Sequence, residues 1–271
     1  MANLKIYCTS LKYYRILDKL PNYIVPLGLG EKNFPNHWLK DNVGNNISYL
    51  NKYFAELTGL YWIWKNKISE FGENDWIGTC HYRKLWLNDL YENKQKKSTD
   101  SLYNNLLKPS NNLFQKNDVL LVQPIQFKKK NLLSDFNEVH KNNVIEECIN
   151  FLDPKNKKNF IIHLNQNILF GQNMFITKKK LFNEFCDITF RWINDCHKFL
   201  FKENIYSGYN TRLVAFLSER FTSYWFSKFN KKSFLSYARL GKFYLSNRVN
   251  YFFNPIKLPF TFRMYPTFHK Y

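Results

Sequence analysis

The sequence predicts an α/β fold with a mostly parallel central sheet, either as one large domain or as one domain with a helical annex. Short apolar runs bounded by turn residues predict buried strands, and stretches with apolar residues at helical spacing predict helices. The two kinds of segment alternate along the chain, which is typical of a parallel α/β sheet. A chain of 271 residues is long enough to bury one large core.

Five apolar runs predict the strands of this sheet. One of them is a continuous apolar run closed by Pro124, and another is interrupted by Gly171. In chain order the runs are LKIYCTS (4–10), YIVPLGLG (23–30), WIGTC (76–80), DVLLVQP (118–124) and NILFGQNMFIT (167–177).

Four segments predict helices. The first runs from Ile47 to Lys67, with Ser48 as a candidate N-cap and apolar residues at helical spacing. The others cover residues 134–151, 178–201 and 209–226. The polar segment 88–117, rich in Asn and Lys, predicts an insertion or loop with some helix.

The formal net charge of +19, from 40 Lys and Arg against 21 Asp and Glu, indicates an anionic partner. Nucleic acid, phosphorylated small molecules and anionic lipid headgroups are the candidates. The sequence contains no helix-turn-helix, zinc-finger or aromatic RNA-binding motif, so we expect no nucleic-acid partner. An AT-rich coding sequence is the alternative explanation for the excess of Lys.

Metal and cofactor signals are missing from the sequence. The five cysteines form no C-x-x-C pair, the six histidines lack metal-binding spacing, and no two Asp residues lie two apart. Walker and dinucleotide-binding loops are also missing, so we expect neither a divalent metal nor a cofactor. Scattered cysteines, an N-terminus unlike a signal peptide and the lack of an apolar stretch of about 18 residues indicate a cytoplasmic protein that does not span a membrane.

The run WIGTCHYRKLW begins as a buried strand and ends on the polar side chains of His81, Arg83 and Lys84. Ligands of open α/β sheets bind beyond the carboxyl ends of the strands. Arg offers phosphate a planar fork of donors and Lys offers a point charge. The pattern therefore predicts an anion site at this strand end, with a solvated strand end as the alternative.

Two other segments would lie near this strand end in a parallel sheet. GNNIS (44–48) leads into a predicted helix N-terminus, where free amides favour an anion. Gln172 and Asn173 offer amides that commonly bind sugar hydroxyls. A turn, or a buried pair bonded within the protein, is the alternative for these two residues.

Two carboxylates stand out as candidates for acid–base chemistry. Glu219 is seven residues from Arg212 in YNTRLVAFLSERF, so the two share one helix face. A surface ion-pair face is the alternative. Glu56 lies among aromatic residues in FAELTGLYWIWKN, which indicates a specific hydrogen-bond partner.

Six blocks in this order resemble a bacterial family first catalogued as a domain of unknown function. The family occurs in capsule, exopolysaccharide and lipopolysaccharide gene clusters and is described as glycosyltransferases. In the family's H-Y-R-R motif the second Arg corresponds to Lys84 here. Lys84 keeps the positive charge but lacks the paired donors of a guanidinium group. The resemblance covers residues 4–226 and rests on DNVGNNIS, NKYFAELTGLYWIWKN, WIGTCHYRKLW, DVLLVQP, GQNMFITKKKLFNEFCDITF and RLVAFLSERF.

The resemblance implies a single GT-A-like, Rossmann-like domain with a mostly parallel central sheet and a helical C-terminal part. It also implies transfer of a hexose or furanose from a nucleotide-diphosphate donor, expected to be a UDP-sugar, to a glycan or lipid-linked acceptor in capsule or lipopolysaccharide biosynthesis. His81 and Arg83 take a place comparable to the Asp-x-Asp metal clamp of that fold, and would replace the metal with protein cations. The expected site consists of diphosphate-binding His81, Arg83, Lys84, Arg212 and Arg220, donor nucleotide-binding or sugar-binding Thr9, Asp41, Asn45, Asn46, Gln172 and Asn173, and a catalytic base that is either Glu219 or Glu56.

The last segment differs in composition, which predicts a division into residues 1–226 and a basic, aromatic extension over 227–271. The extension contains no Asp or Glu. Such a segment suits an anionic membrane surface and predicts a peripheral protein on the cytoplasmic face of the inner membrane. A packed C-terminal extension is the alternative. For the whole chain, the alternative function is a non-catalytic basic protein that binds nucleic acid or anionic polysaccharide.

Overall fold

In the computed structural model, which describes residues 3–30, 32–88, 97–239 and 252–255, strands and helices alternate along most of the chain. The strands are β1 (Leu4–Ser10), β2 (Ile24–Gly28), β3 (Leu39–Lys40), β4 (Trp76–His81), β5 (Lys84–Trp86), β6 (Lys97–Ser98), β7 (Val119–Val122), β8 (Ile125–Gln126), β9 (Ile168–Leu169), β10 (Phe175–Lys178), β11 (Lys232–Leu235), β12 (Tyr237–Arg239) and β13 (Phe252–Pro255).

The helices pack around this sheet. They are α1 (Asn51–Phe54), α2 (Leu57–Asn66), α3 (Thr99–Asn105), α4 (Leu113–Lys116), α5 (Leu132–His140), α6 (Val144–Cys148), α7 (Pro154–Leu164), α8 (Lys179–Lys202) and α9 (Leu213–Ser227). Short 3-10 turns occur at Arg15–Lys19, Ser48–Leu50, Ile68–Glu70, Ile149–Phe151 and Gly208–Arg212.

The main sheet has the order β3-β2-β1-β4-β10-β7-β11. Within this described part, β10 is antiparallel to both of its neighbours and the other pairs are parallel, so six of the seven strands point the same way. The predicted α/β class with a mostly parallel central sheet is confirmed. Because β10 is reversed, its first residues lie at the edge where β1 and β4 end.

A second group of strands branches from the end of β4. A tight hairpin with Tyr82 and Arg83 at its turn leads from β4 into β5, which pairs with β12, then β13 and β6. The hairpin places the cationic run at the carboxyl end of β4, which is where the sequence predicts it.

Strands β11 and β12 both belong to the segment predicted as a separate extension. β11 pairs with β7 and β12 pairs with β5. The division after residue 226 stays a prediction, but the sheet continues past it. Residues 240–251 and 256–271 of the predicted extension lie outside the described residues.

The sheet separates two apolar cores. Along β1, Ile6 and Cys8 belong to one core and Tyr7 to the other, as alternation along a strand requires. The larger core lies under helices α2 and α5 to α9, and the smaller one lies under the segment 102–114. Within the described residues, no helix combines the length and the apolar character that crossing a bilayer requires.

The predicted helix from Ile47 to Lys67 is broken in its middle. A 3-10 turn and α1 end at Ala55, which has φ 48° and ψ −125°, and α2 starts anew at Leu57. Ser48 therefore does not cap a long helix, and its hydroxyl donates to Asn46 instead. Helical spacing continues across the break, so the sequence pattern gives no sign of it.

The other predicted helices fit to differing degrees. Helix α8 agrees with the prediction for 178–201 almost to the residue. The predicted helix 134–151 is divided at Lys141, which ends α5 in the left-handed conformation with φ 53°. Helix α7, with Asp153 as its N-cap, was not predicted. The insertion 88–117 contains α3 and α4, in agreement with the expectation of some helix.

Gly78 limits the spacing between β4 and β10. A Cβ at this position would lie 2.6 Å from Cγ1 of Ile176, its register partner. Gly78→Ala should destabilise the protein by about 1–3 kcal/mol through overpacking. Urea unfolding would measure this, with Gly72→Ala as the control, because a Cβ at Gly72 meets its nearest atom at 3.5 Å. Equal stability of the two variants would contradict the close packing described here.

Candidate active site

A cavity of about 180 Å³ opens at the carboxyl edge of the sheet. The ends of β1 and β4, the helix break before α2, the turn before β10 and the start of α9 form its walls. The lining residues are Thr9, Ser10, Leu11, Leu29, Ala55, Glu56, His81, Tyr82, Arg83, Lys84, Gln172, Asn173, Tyr209, Arg212, Ala215, Phe216 and Glu219. Nine of the thirteen site residues expected from the sequence lie in this one cavity.

Three cations line the cavity. Arg83 and Lys84 come from the hairpin after β4, and the exposed Arg212 comes from the turn before α9. The guanidinium of Arg83 lies 5.1 Å from the centre of the Tyr82 ring, and that ring stacks on Tyr14. The arrangement attracts an anion and holds two arginine forks suited to phosphate oxygens.

Glu219 is a carboxylate fixed by two donors. Its Oε1 accepts a short hydrogen bond from the main-chain N–H of Gln172, and its Oε2 accepts from Arg220 at 3.0 Å. Burial raises the pKa of Glu219, while Arg220 and the Gln172 N–H oppose that rise. Both oxygens are engaged, so this carboxylate is built into the wall.

Glu56 has a different environment. Its Oε1 accepts from the Asn173 side-chain amide at 2.8 Å. Within the described residues its second oxygen accepts no hydrogen bond, and the side chain lines the cavity. Of the two candidate bases, Glu56 is the one with an oxygen available for a ligand.

Strained backbone concentrates at this cavity. Ala55, Gln172 and Asn173 all have positive φ, at 48°, 81° and 48°, and all three line it. Each such conformation costs on the order of 1–3 kcal/mol and persists only where surrounding contacts enforce it. Asn51 enforces the first by donating from its side-chain amide to the carbonyl of Ala55 at 2.9 Å. Strain of this kind favours a functional role for the cavity.

His81 connects two walls of the cavity. Its Nε2 donates to the main-chain oxygen of Gln172 at 2.7 Å, and its Nδ1 lies 3.2 Å from the hydroxyl of Thr9. Burial lowers the pKa of His81, and Lys84 and Arg83 lower it further, against the opposing effect of Glu56. With both ring nitrogens engaged, His81 joins the end of β4 to the turn before β10, and its direct contact with a diphosphate stays a prediction.

The side chain of Asn173 is also engaged within the protein. Its Nδ2 donates to Glu56 and to the carbonyl of Ala215, and its Oδ1 accepts from Ser218 and Thr222. For Asn173 this agrees with the alternative of a side chain bonded within the protein, and the assignment of the two amides to sugar binding stays a prediction.

Four of the expected site residues lie outside the cavity lining. Arg220 is buried between Glu219 and Asp135. Asp41 is fully buried and accepts from the N–H of Gly30 and the hydroxyl of Thr58. Asn45 and Asn46 bond within their own loop and to α2. These residues stabilise the framework around the cavity.

Aromatic residues of the cavity were missed by sequence reasoning. Tyr209 and Phe216 pack with their ring centres 4.9 Å apart, and Arg212 lies 5.9 Å from the Phe216 ring. Their spacing of seven residues around Arg212 puts them on the face that carries Glu219. That spacing was the available signal, but aromatic residues are so frequent here that it did not stand out.

No group of three or more His, Cys, Asp or Glu side chains with metal-binding geometry occurs in the part of the chain that the structure describes. The expectation of a metal-independent site stays a prediction.

A comparison with solved structures shows a similar fold. The apo structure of the bifunctional glycosyltransferase WbbM superposes with a TM-score of 0.68 at 19% sequence identity, covering 89% of this chain. This chain accounts for only 46% of that protein's length, so the likeness concerns the fold and not the whole activity. No curated protein matches the sequence. Residues 5–231 match the family described as a domain of unknown function, DUF4422, and the chain belongs to that family.

Proposed function

We propose that the protein is a glycosyltransferase that moves a sugar from a nucleotide-diphosphate donor to a hydroxyl of a glycan or lipid-linked acceptor. One observation carries the proposal: a single cavity at the carboxyl edge of an α/β sheet combines three cations with two carboxylates. Cations stabilise a leaving diphosphate and a carboxylate can take the proton of the attacking hydroxyl. The likeness in fold to a bifunctional glycosyltransferase supports the same conclusion.

In this proposal Arg83, Lys84 and Arg212 bind the donor diphosphate. All three line the cavity, and the two arginines can each make paired hydrogen bonds to phosphate oxygens. Charge develops on the diphosphate as its bond to the sugar breaks, so these contacts strengthen in the transition state.

Glu56 is the proposed catalytic base. The acceptor oxygen attacks the anomeric carbon, the bond from that carbon to the diphosphate oxygen breaks, and the hydroxyl proton passes to the unengaged oxygen of Glu56. Glu219 instead fixes the turn before β10, because both of its oxygens already accept hydrogen bonds. This assignment applies to an inverting reaction.

The finer parts of the proposal follow the family resemblance. The donor is a UDP-sugar carrying a hexose or a furanose, the pathway is capsule or lipopolysaccharide synthesis, and protein cations take the place of a divalent metal. The +19 charge also suits peripheral binding to the anionic inner membrane from the cytoplasmic side.

A non-catalytic basic protein that binds anionic polysaccharide or nucleic acid is the second candidate, and the net charge favours it. Binding and activity assays with nucleotide sugars distinguish the two candidates. A thermal-shift screen of nucleotide sugars identifies a donor, because a ligand that binds only the folded state raises Tm. Donor hydrolysis or transfer then supports the enzyme, whereas melting shifts with polyanions alone support the binding protein.

Arg83→Ala should weaken binding of the donor by about 2 kcal/mol or more, because a charge-assisted contact to phosphate is lost. Titration of the nucleoside diphosphate measures the change. The control is Arg191→Ala, since Arg191 is an exposed residue of α8 that pairs with Asp187. Unchanged donor affinity in a folded Arg83→Ala variant would refute the diphosphate assignment.

Glu56→Gln should lower kcat by roughly 10²–10⁴-fold, the range for loss of a general base. The fold should be retained, because a Gln oxygen can still accept from Asn173.

In Glu219→Gln, the Gln172 N–H or the Arg220 guanidinium would face the NH₂ group of the new amide. We therefore expect a loss of stability of about 1–3 kcal/mol. Activity and Tm of both variants distinguish the base from the structural carboxylate. The control is Glu203→Gln, at the exposed end of α8. A larger loss of kcat in stable Glu219→Gln would reverse the assignment.

The cations near the C-terminus should contribute to binding of anionic vesicles. The triple variant Lys257→Gln, Arg263→Gln and Lys270→Gln loses three charges, each worth on the order of 1 kcal/mol near an anionic surface. Co-sedimentation with anionic and neutral vesicles at two salt concentrations measures the effect. The control is Lys19→Gln, Lys108→Gln and Lys116→Gln, which changes the net charge equally at exposed positions. Equal losses would show that net charge alone governs binding.

A further inference from the structure

Tyr237 lies in β12, beyond the family-matched region 5–231. Its side chain is 1% exposed, and in the sheet it pairs with Trp86 of β5. Although Tyr237 is not part of the cavity lining, its hydroxyl accepts a hydrogen bond from the Gln172 side-chain amide at 3.0 Å. Its ring centre lies 5.8 Å from Nζ of Lys84. One buried tyrosine thus bonds to one residue of the cavity lining and lies beside a second.

Gln172 is the residue through which this contact matters. Its main-chain N–H donates to Glu219 and its main-chain oxygen accepts from His81. Its φ of 81° is unfavourable for any residue with a side chain, so neighbouring contacts must hold the turn. The side-chain Nε2 is anchored by Tyr237, and the buried Oε1 has no hydrogen-bond partner among the described residues.

We propose that Tyr237 is a positioning residue of the active site: its hydroxyl holds the Gln172 turn in the conformation that orients Glu219, His81 and, through Asn173, Glu56. Strand β12, which follows the family-matched segment, thereby completes the site. The inference deepens the proposed function and rests on it for its kinetic test.

Gln172 and Asn173 are consecutive residues, so a turn that relaxes at Gln172 moves the Asn173 amide as well. That amide donates to Glu56 at 2.8 Å and to the carbonyl of Ala215 at 3.2 Å. Loss of the anchor therefore affects the proposed base without touching it. Donor binding at Arg83 depends less on the turn, because Arg83 belongs to the hairpin after β4.

Tyr237→Phe removes the hydroxyl and keeps the ring beside Lys84. We expect kcat to fall about ten-fold, as for loss of one well-placed hydrogen bond, with the Kd of the nucleoside diphosphate unchanged. Gln172→Met removes the same bond from the other side, and the double variant should be no worse than the more affected single variant. Hydrogen–deuterium exchange of the peptide around residues 171–174 should speed up in Tyr237→Phe.

Tyr224→Phe is the matched control. Tyr224 is also a buried tyrosine, its hydroxyl donates to Asn156 at 2.8 Å, and it lies outside the cavity lining. It should keep its kcat and its exchange at 171–174, even if its Tm falls.

The outcomes separate the positioning role from the proposed function. The positioning role is overturned if Tyr237→Phe folds and its hydrogen exchange at 171–174 is normal. Where the wild type is active, kcat must then be normal as well. Multiplying losses in the double variant also overturn the positioning role. If the wild type transfers no sugar from any nucleotide sugar, the proposed function fails, and faster exchange at 171–174 in Tyr237→Phe but not Tyr224→Phe still supports the positioning role. If Tyr237→Phe does not fold, exchange in Gln172→Met decides, with unchanged exchange at 171–174 counting against it.

Discussion

The geometry of the site depends on the hydrogen bonds of one turn, Gly171 to Asn173, at the start of the reversed strand β10. The main-chain oxygen of Gln172 accepts a hydrogen bond from His81, and its main-chain N–H donates one to Glu219. The Asn173 side chain then joins Glu56 to α9. Groups of β4, of the helix break before α2 and of α9 bond to these two residues, so contacts from three elements support their left-handed conformations. A parallel β10 would have put this turn at the opposite edge of the sheet.

The charges of the cavity divide between its contributing elements. The cations come from the hairpin after β4 and from the turn before α9, and the carboxylates come from the helix break and from α9 itself. Glu219 pairs with Arg220, which pairs in turn with the fully buried Asp135, and Asp135 also contacts Lys130. This chain of alternating charges neutralises the buried groups behind the cavity. Arg83, Lys84 and Arg212 remain at the lining, where an anion can reach them.

Nine of the thirteen residues expected for the site lie in one cavity, because strand ends are easy to recognise in a sequence. The position of His81, Arg83 and Lys84 at the end of β4 followed from an apolar run that turns polar, and the α/β class followed from the alternation of segments. The break at Ala55 was not predictable, because alanine favours helix and the apolar spacing continues across it. The Asn51 side-chain amide bonds to the carbonyl of Ala55 and supports the break against that preference.

The expected site residues that lie outside the cavity lining and the contact that the sequence did not predict have one physical cause. Asp41, Asn45 and Asn46 were assigned to ligand binding because their polar side chains precede a helix, but they bond to nearby groups of the protein. A polar residue in a loop has the same sequence pattern whether it bonds to a ligand or to the chain, and only the tertiary partners decide. Tyr237 is the opposite case, a residue with a role at the site that the sequence did not indicate. It belongs to a strand segment without acidic residues, and nothing in its sequence surroundings connects it to Gln172. Gln172 and Tyr237 are 65 residues apart in the sequence, and the sheet brings them together. Their hydrogen bond can therefore be predicted only when the register of β12 against β5 is known.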